Sequence, residues 1–567
     1  MLILGLSDNH DASAALVADG QLVGACAQER IDRVKNSGAF PWGAIDAVLD
    51  QAGVKAREID RVVFGTAFTP SWALRRFPEV HHGRKASGGQ FDPALNAYIS
   101  YQVALRSTGM HMQEAEACRR LLDKRMVLRG FRKAQVEVLD HHTTHAQAAY
   151  RAQEHATCLV LTVDAMGDGR SASCHVGRNG LLELQWSQSG FAAINTFYSR
   201  ITELLGFTAN RHEGKVTGLA ALATPPPKLL EHMRDKLSFR RGRFSRENYL
   251  RRHSPQDPWY RALQRYSREE IAAAAQQTLE EAVCDLVRHH VRRTGISTVA
   301  VCGGVFANVK LNQRIAELDC VSTLSVFPNM GDGGLAVGAA LASAGAPPRT
   351  LESLYLGPRF TDEDIGRALA VAGLRPQKGA KVQPRVLDLL EAGKVVARFD
   401  GAMEFGPRAL GNRSLLVRPD DPSANDWLNA RLSRSEFMPF APVVLDEDAE
   451  RCFVGVDKAR DSARFMTVCF DATPEFARDC PGVVHVDGTA RPQLLREQDN
   501  PSLHGLLRAW KQRTGLSALV NTSFNLHEEP IVCTPGDACR AFKQGRLDAL
   551  WIGPYLVEAA PAEAAPN

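Results

Sequence analysis

The sequence predicts an α/β protein of more than one domain. Three observations carry this: strand patterns that stop at Gly-rich loops and alternate with helical stretches, a strand, loop and hairpin unit that occurs twice, and a length of 567 residues, beyond the roughly 100–200 residues of a single domain. With 44% apolar and 23% charged residues, collagen, coiled coil and wholesale disorder are excluded. Lys and Arg number 68 against 64 for Asp and Glu, and a net charge of +4 disfavours a nucleic-acid or anionic-membrane partner. The 12 cysteines, from Cys26 to Cys539 with no CxxC pair, fit reduced thiols in a cytoplasm. MLILGLSDNHD has no signal-peptide pattern, and the uncharged stretch 333–348, which no other exceeds in length, is too short and too broken to span a bilayer. The expectation is a soluble cytoplasmic protein, free to assemble as an oligomer.

In chain order, LILGLS reads as a strand, HDAS as a turn and SAALVADGQLVGACAQ as a hairpin around Asp19-Gly20. The unit returns near residue 158: CLVLTVD is a strand ending at Asp164, AMGDG a turn, and SASCHVGRNGLLELQW a hairpin around Asn179-Gly180. Between them, residues 68–135, with HHGRKASGG, read as an insertion carrying substrate specificity, or more plainly as solvated surface helices. A helix spans Ser267 to Thr294, where Ser267 and Glu270 form a capping box and Leu279, Val283, Leu286, Val287, His290 and Val291 make one stripe before Gly295. The strand STVAVCGGVFAN follows. This duplicated layout predicts an actin-like fold, another doubly wound sheet being the alternative. GAPPR at 345–349 and PQKGAKVQP at 376–384 flank the short helix TDEDIGRALAVAG and suggest a passage between domains; KVVARFDG then restarts a strand pattern, and AAPAEAAPN is a low-complexity tail.

His141 and His145 stand four apart in LDHHTTHAQAAY, so a helix puts both imidazoles on one face, with His142 turned about 100° away. Such a pair alone is more often packed histidine than a site. Asp164 and Asp332, each beside a Gly-rich loop, complete a mixed N/O set suited to iron(II), manganese or zinc, although Asp beside Gly is also a common turn former. Gly303 and Gly304 follow a strand and Asn308 opens a helix, a geometry that cradles phosphate or ribose. Lys215 could meet a phosphate and Glu213 a ribose hydroxyl, unless both are loop charges. His10, next to Asp11, can serve as general base on a hydroxyl or sit hydrogen-bonded in its turn. In the C-terminal part, Arg408, Arg413, Arg434 and Arg491, with Asn521, Ser523 and Asn525, make a polyanion pocket among loops carrying Phe437, Phe440 and Phe524.

Taken in order, HDASAALVADG, HHTTHAQAAY, HEGKVTGLA, GGVFANVKLN, EFGPRALGNRS, FMPFAP, HVDGTARPQ and NTSFN…EEPIV resemble the NodU/CmcH-type O-carbamoyltransferases over nearly the whole chain. The resemblance implies an actin-like N-terminal domain (1–356) similar to the metal subunit of tRNA threonylcarbamoylation, a YrdC-like C-terminal domain (357–557) and a disordered tail (558–567). It implies that carbamoyl phosphate and ATP, with Mg, yield carbamoyl adenylate in the second domain. This adenylate travels inside the protein to the first, where the carbamoyl group passes to a hydroxyl of a small secondary metabolite. His141, His145, Asp164 and Asp332 match the family's metal ligands, with Fe(II) favoured. His10 matches the base, Lys35 a lysine near the phosphates, and Arg491 and Ser523 contacts to carbamoyl phosphate or adenylate, with Arg408 and Arg413 as company. Two departures stand out. The cation before FMPFAP is read as Arg434 rather than Arg431, and Glu528 replaces a usual Gly, which bears on that loop's backbone. The rival readings are threonylcarbamoyl transfer to tRNA and a nucleotide-dependent binding module without transfer chemistry.

Overall fold

β1 (Leu2–Ser7), β2 (Ser13–Ala18) and β3 (Gln21–Ala27) form an antiparallel meander. Asp19 and Gly20 turn the hairpin with φ of 49° and 81°, the two positive values whose twist matches the strands in a type I′ turn. β4 (Arg61–Phe64) and β5 (Gln135–Val138) add in parallel on the far side of β1, giving the order β3-β2-β1-β4-β5. The second unit repeats this plan. β6 (Thr157–Gly167), β7 (Arg170–Arg178) and β8 (Leu181–Ser189) form a meander whose last turn is Asn179-Gly180, and β9 (Thr298–Cys302) and β10 (Thr323–Val326) add in parallel, in the order β10-β9-β6-β7-β8. The duplication is present strand for strand. The computed structural model describes residues 1–77, 93–192, 194–245, 257–432 and 437–559.

Five helices position the site: α1 (His141–Arg151), α2 (Glu213–Ala220), α3 (Arg268–Thr294), α4 (Val309–Ala316) and α5 (Leu335–Ala344). α3 begins at the Ser267/Glu270 capping box and stops at Gly295 in the left-handed conformation, as its sequence indicates. α5, LAVGAALASA, is small and uncharged all round and so must be buried; it packs between β1–β2 and α1. It is the core of the long uncharged stretch, and among the described residues no helix is long and apolar enough to cross a membrane. The connection from β4 to the parallel β5 is helical, as a parallel crossover requires, with helices Trp72–Arg76, Pro93–Ser107 and His111–Leu128. HHGRKASGG lies outside the described residues.

The C-terminal half is a mixed eight-stranded sheet in the spatial order Gln377–Lys378, Tyr555–Glu558, Ala549–Ile552, Val396–Phe399, Arg413–Val417, Ala518–Ser523, Ala441–Leu445 and Gln493–Leu495. Two expected boundaries shift. Residues 376–384 are no passage between domains: Gln377–Lys378 is the sheet's edge and helix Val382–Glu391 follows. Glu558, expected to begin the tail, ends a strand and pairs with Arg385 at 2.7 Å; residues 560–567 lie outside the described ones.

The two halves touch along α4 and along the connecting segment. Ala25 N–H donates to the Leu356 carbonyl and Gly357 N–H to the Met403 carbonyl, each at 2.9 Å. From α4, Asn312 Nδ2 donates to the Thr467 carbonyl at 2.7 Å, Gln313 Nε2 to Asp471 Oδ1 at 2.8 Å, and Lys310 Nζ meets Asp487 Oδ2 at 2.8 Å.

Candidate metal centre and interdomain cavity

α1 starts at Asp140, whose carboxylate accepts from Thr143 N–H at 3.1 Å and is itself held by Arg106 and Arg170. One helical turn separates His141 from His145, so both imidazoles leave the same face. His141 Nε2 lies 3.1 Å from Asp164 Oδ2; His145 Nε2 lies 3.3 Å from that oxygen and 3.4 Å from Asp332 Oδ1. One ligand atom from each of the four residues falls within 4.8 Å of the others, and all four are buried. His142 faces away, its Nδ1 2.7 Å from Thr162 Oγ1, and burial together with the neighbouring imidazoles pushes its pKa well down.

Asp164 reaches this point by a local irregularity. β6 does not end at Asp164 as its sequence suggests but runs on to Gly167, with the pairing to β7 broken between Val163 and Gly167. Such a break bends a strand and re-aims its side chains. Asp332 sits in the turn before α5, where Asn9 Nδ2 donates to its Oδ2 at 2.7 Å.

The residues present fit a metal ion. Burial opposes charge on both imidazoles, yet Asp332 and Asp164 lift the pKa of His141, while Cys302 and the two carboxylates lift that of His145 well above histidine's ordinary value. The same imidazoles hold Asp164 well below the usual carboxylate range despite its burial. With neutral imidazoles the two carboxylates would be buried negative charge without compensation, which is costly; a divalent cation balances them, as protons otherwise do. The His141 ring is also held from behind, since a β-carbon on Gly167 would fall 2.1 Å from its Cγ.

His10 joins the group. Its Nδ1 is 3.3 Å from Asp332 Oδ2, its Nε2 is 4.0 Å from Asp11 Oδ2, and its side chain is 46% exposed, so it borders the centre and open space together. Asn9 and Asp168 escaped the sequence reading. Asp168 accepts from the N–H groups of Ala67, Phe68 and His141 at 2.8, 2.8 and 2.9 Å, tying the loop after β4 to the start of α1. Only its place in AMGDG hinted at a role.

Gly303 has φ of 110°, and a β-carbon there would meet the Val163 carbonyl oxygen at 2.2 Å; no other residue fits. Gly304 N–H points at Asp164 Oδ1, 3.3 Å away. At the far end of this segment Asn308 caps α4, accepting from Leu311 N–H at 3.0 Å, and donates to Gln276 Oε1 at 2.8 Å. Gln276 lines a cavity of about 630 Å³ between α2, α3 and α4 on one side and Met438, Cys469, His485 and Asp487 of the C-terminal half on the other. The segment 303–308 thus runs from the metal centre to the cavity. Within the cavity burial pushes the Glu280 carboxyl up, and the Lys310–Asp487 pair bridges the two halves. Burial holds the Cys469 thiol at about 11, while Arg491, Lys310 and Arg408 pull it the other way.

Other candidates lie elsewhere. Lys215 is buried in α2, while Glu213 accepts from Ser199 Oγ and Asn210 N–H at 2.8 and 2.6 Å. Arg413 is fully buried, with its guanidinium 3.6 Å from the Phe399 ring centroid and donating to the carbonyls of Asp400 and Asn412. Burial lowers its pKa to about 10. Asn521 donates to Gln493 Oε1 at 2.7 Å and Asn525 to the carbonyls of Leu526 and Glu529. Ser523 faces Ser414 across two strands. Arg434 lies outside the described residues, and Arg431 is tied to Asp548 at 2.8 Å. Glu528 keeps the left-handed backbone a glycine would take, with φ of 60°, and meets Arg211 and His212 at 3.3 and 3.4 Å in the neighbourhood of Lys35. A further unforeseen residue, Glu404, accepts from the N–H groups of Leu410, Asn412 and Arg413 at 2.9, 2.7 and 3.1 Å, folding EFGPRALGNRS around one carboxylate oxygen.

Two family models match in tandem, Carbamoyltransferase N-terminus over residues 2–341 and Carbamoyltransferase C-terminus over residues 387–559. The chain therefore belongs to the carbamoyltransferase family and is an enzyme of that class. Among its relatives is nodulation protein NolNO of Sinorhizobium fredii, 30% identical over 577 residues, covering 97% of this chain and 79% of that one; such relatives belong to the NodU/CmcH type. An uncharacterized protein of Methanocaldococcus jannaschii is 30% identical over 570 residues, 98% of this chain and 99% of its own. Full-length HypF, solved in a phosphate- and nucleotide-bound form, is similar over 60% of this chain and 46% of its own, at 14% identity and a TM-score of 0.32.

Proposed function

We propose that this chain is an ATP-dependent O-carbamoyltransferase, with an actin-like N-terminal half and a YrdC-like C-terminal half. The observation that supports this best is the placement of a buried His/Asp centre and a solvent-open cavity at the two ends of one short segment, 303–308, where the halves meet. In the C-terminal half, water cleaves carbamoyl phosphate to carbamate and phosphate, and a carbamate oxygen attacks the α-phosphorus of ATP, which carries Mg; pyrophosphate leaves and carbamoyl adenylate forms. Arg408 and Arg491 hold the anionic groups with their guanidinium forks. The cavity lies between the halves, on the adenylate's way to the N-terminal half.

His141, His145, Asp164 and Asp332 hold a divalent metal, Fe(II) by family resemblance with Mn or Zn as alternatives, which supplies Lewis acidity and a template for phosphate oxygens. The loop that begins at Gly304, held to Asp164 by the Gly304 N–H, orients the adenylate. Asp332 serves two neighbours with two oxygens: Oδ1 faces the imidazoles, while Oδ2 accepts from Asn9 and orients His10 through Nδ1. This leaves His10 Nε2 to take the acceptor's hydroxyl proton as that oxygen attacks the carbamoyl carbon and AMP departs. The acceptor is a small hydroxyl-bearing metabolite, reached through the exposed side of His10. The test is incubation with carbamoyl phosphate, ATP, Mg and a panel of hydroxyl acceptors: pyrophosphate, AMP and a carbamoylated acceptor are expected. Failure to release AMP or pyrophosphate under any condition refutes the proposal, and transfer to tRNA instead of a small acceptor corrects its substrate.

A further inference from the structure

We infer that Cys302 is a positioning residue for His145, setting its tautomer so that Nε2 is the ligand atom; this rests on the metal reading of the His/Asp centre. Cys302 ends β9, directly before Gly303, and is fully buried. Its Sγ lies 3.2 Å from His145 Nδ1 and 3.4 Å from the Met330 carbonyl oxygen. A thiol carries one proton and a carbonyl oxygen only accepts, so the S–H goes to Met330 and a sulfur lone pair receives Nδ1–H from the imidazole. Nε2 then bears a lone pair, and it is Nε2 that faces Asp164 Oδ2 at 3.3 Å and Asp332 Oδ1 at 3.4 Å. The partner on the second ring nitrogen normally fixes which nitrogen of a histidine binds metal.

His141 is supported differently. Its Nδ1 has no hydrogen-bond partner among the described residues, and its ring is kept in place by the close approach of Gly167. Of the two imidazoles, only His145 has its proton placed by a side chain. The choice of sulfur has a chemical consequence. A carboxylate behind His145 would add a third negative charge to a centre that already has two, and a loaded site of net negative charge would repel the phosphate of an adenylate. A thiol orients the ring without adding charge.

The test uses the full chain stripped of metal by a chelator and titrated with Mn(II), free Mn(II) being read by its EPR signal, and with Co(II), whose visible absorption reports ligand geometry. Cys302→Ala removes the acceptor; Cys302→Ser keeps an O–H that can donate to Met330 and accept from Nδ1. The alanine variant is expected to bind Mn(II) at least about tenfold more weakly with a changed Co(II) spectrum, and the serine variant to return within about threefold of the wild type. Wild-type affinity and spectrum in Cys302→Ala overturn the inference while leaving the metal site standing, as does equal weakening in both variants, which marks a packing role. Absence of binding in the wild type overturns both.

Discussion

The replacement of Gly167 by alanine probes the metal centre through one methyl group. A β-carbon there would fall 2.1 Å from His141 Cγ, 2.3 Å from Cδ2 and 2.4 Å from Nδ1. Carbon contacts settle near about 3.5 Å, so the ring has to retreat by about 1.4 Å. Metal–ligand distances tolerate only about 0.2 Å. Gly167 does not have a positive φ, so backbone strain plays no part and the effect is steric. Crowding of a packed site costs about 1–3 kcal/mol of stability, and displacement of His141 lowers metal affinity at least about tenfold. Mn(II) titration of the stripped protein followed by EPR reads the affinity, and thermal melting reads the stability. Gly505→Ala is the control, since its β-carbon would meet only Gln383 Nε2 at 3.9 Å; it binds Mn(II) as the wild type does. A Gly167→Ala protein with unchanged Mn(II) affinity refutes the placement of His141 as a ligand.

Three further outcomes follow from the same geometry. Asp168→Ala removes the acceptor for three backbone N–H groups, and the first unfolding transition in urea is expected to lose about 3 kcal/mol, with protease cleavage appearing near residue 67. Burial depresses the pKa of His175 to about 4 from an ordinary 6.5; the unfolded chain therefore binds the proton first, so stability is full above pH 6.5 and falls by about 3 kcal/mol as pH drops to 4. Melting curves across that range should show a smaller fall for His175→Gln. Lys310→Ala and Asp487→Asn, made singly and together, should show a coupling of about 1 kcal/mol in a double-mutant cycle on thermal unfolding. Because the Asp487 carboxyl lies below its ordinary range, with His485 and Lys310 outweighing its burial, this coupling is present at neutral pH and fades only in strong acid.

Local chemistry made much of the N-terminal half legible. Asp19-Gly20 and Asn179-Gly180 specify type I′ turns, and finding two such turns after two similar strands exposes the duplication. Ser267, Glu270 and Gly295 mark both ends of α3, and the four-residue spacing of His141 and His145 places two imidazoles on one face. What stayed hidden depends on distant contacts, which leave no period in a sequence. Asp168 gathers three N–H groups from segments 27 to 101 residues away, and only its place in AMGDG hints at it. The bulge that turns Asp164 inward depends on pairing with β7. Arg413 illustrates the reverse error: an arginine in a Gly and Asn loop reads as an anion grip, yet its fork is spent on carbonyls inside the fold. The order of the eight C-terminal strands, and with it the cavity between the halves, follows from long connections that no local signal encodes.

The central claim is a division of labour between two halves joined by one cavity, and its most direct measurement compares His145→Ala with Arg491→Ala under carbamoyl phosphate and ATP. Pyrophosphate release reports the first step and carbamoylation of an acceptor the second. The account predicts that His145→Ala releases pyrophosphate at close to the wild-type rate but carbamoylates nothing, whereas Arg491→Ala loses both because no adenylate forms. Loss of pyrophosphate release in His145→Ala to the same extent as in Arg491→Ala would contradict the division.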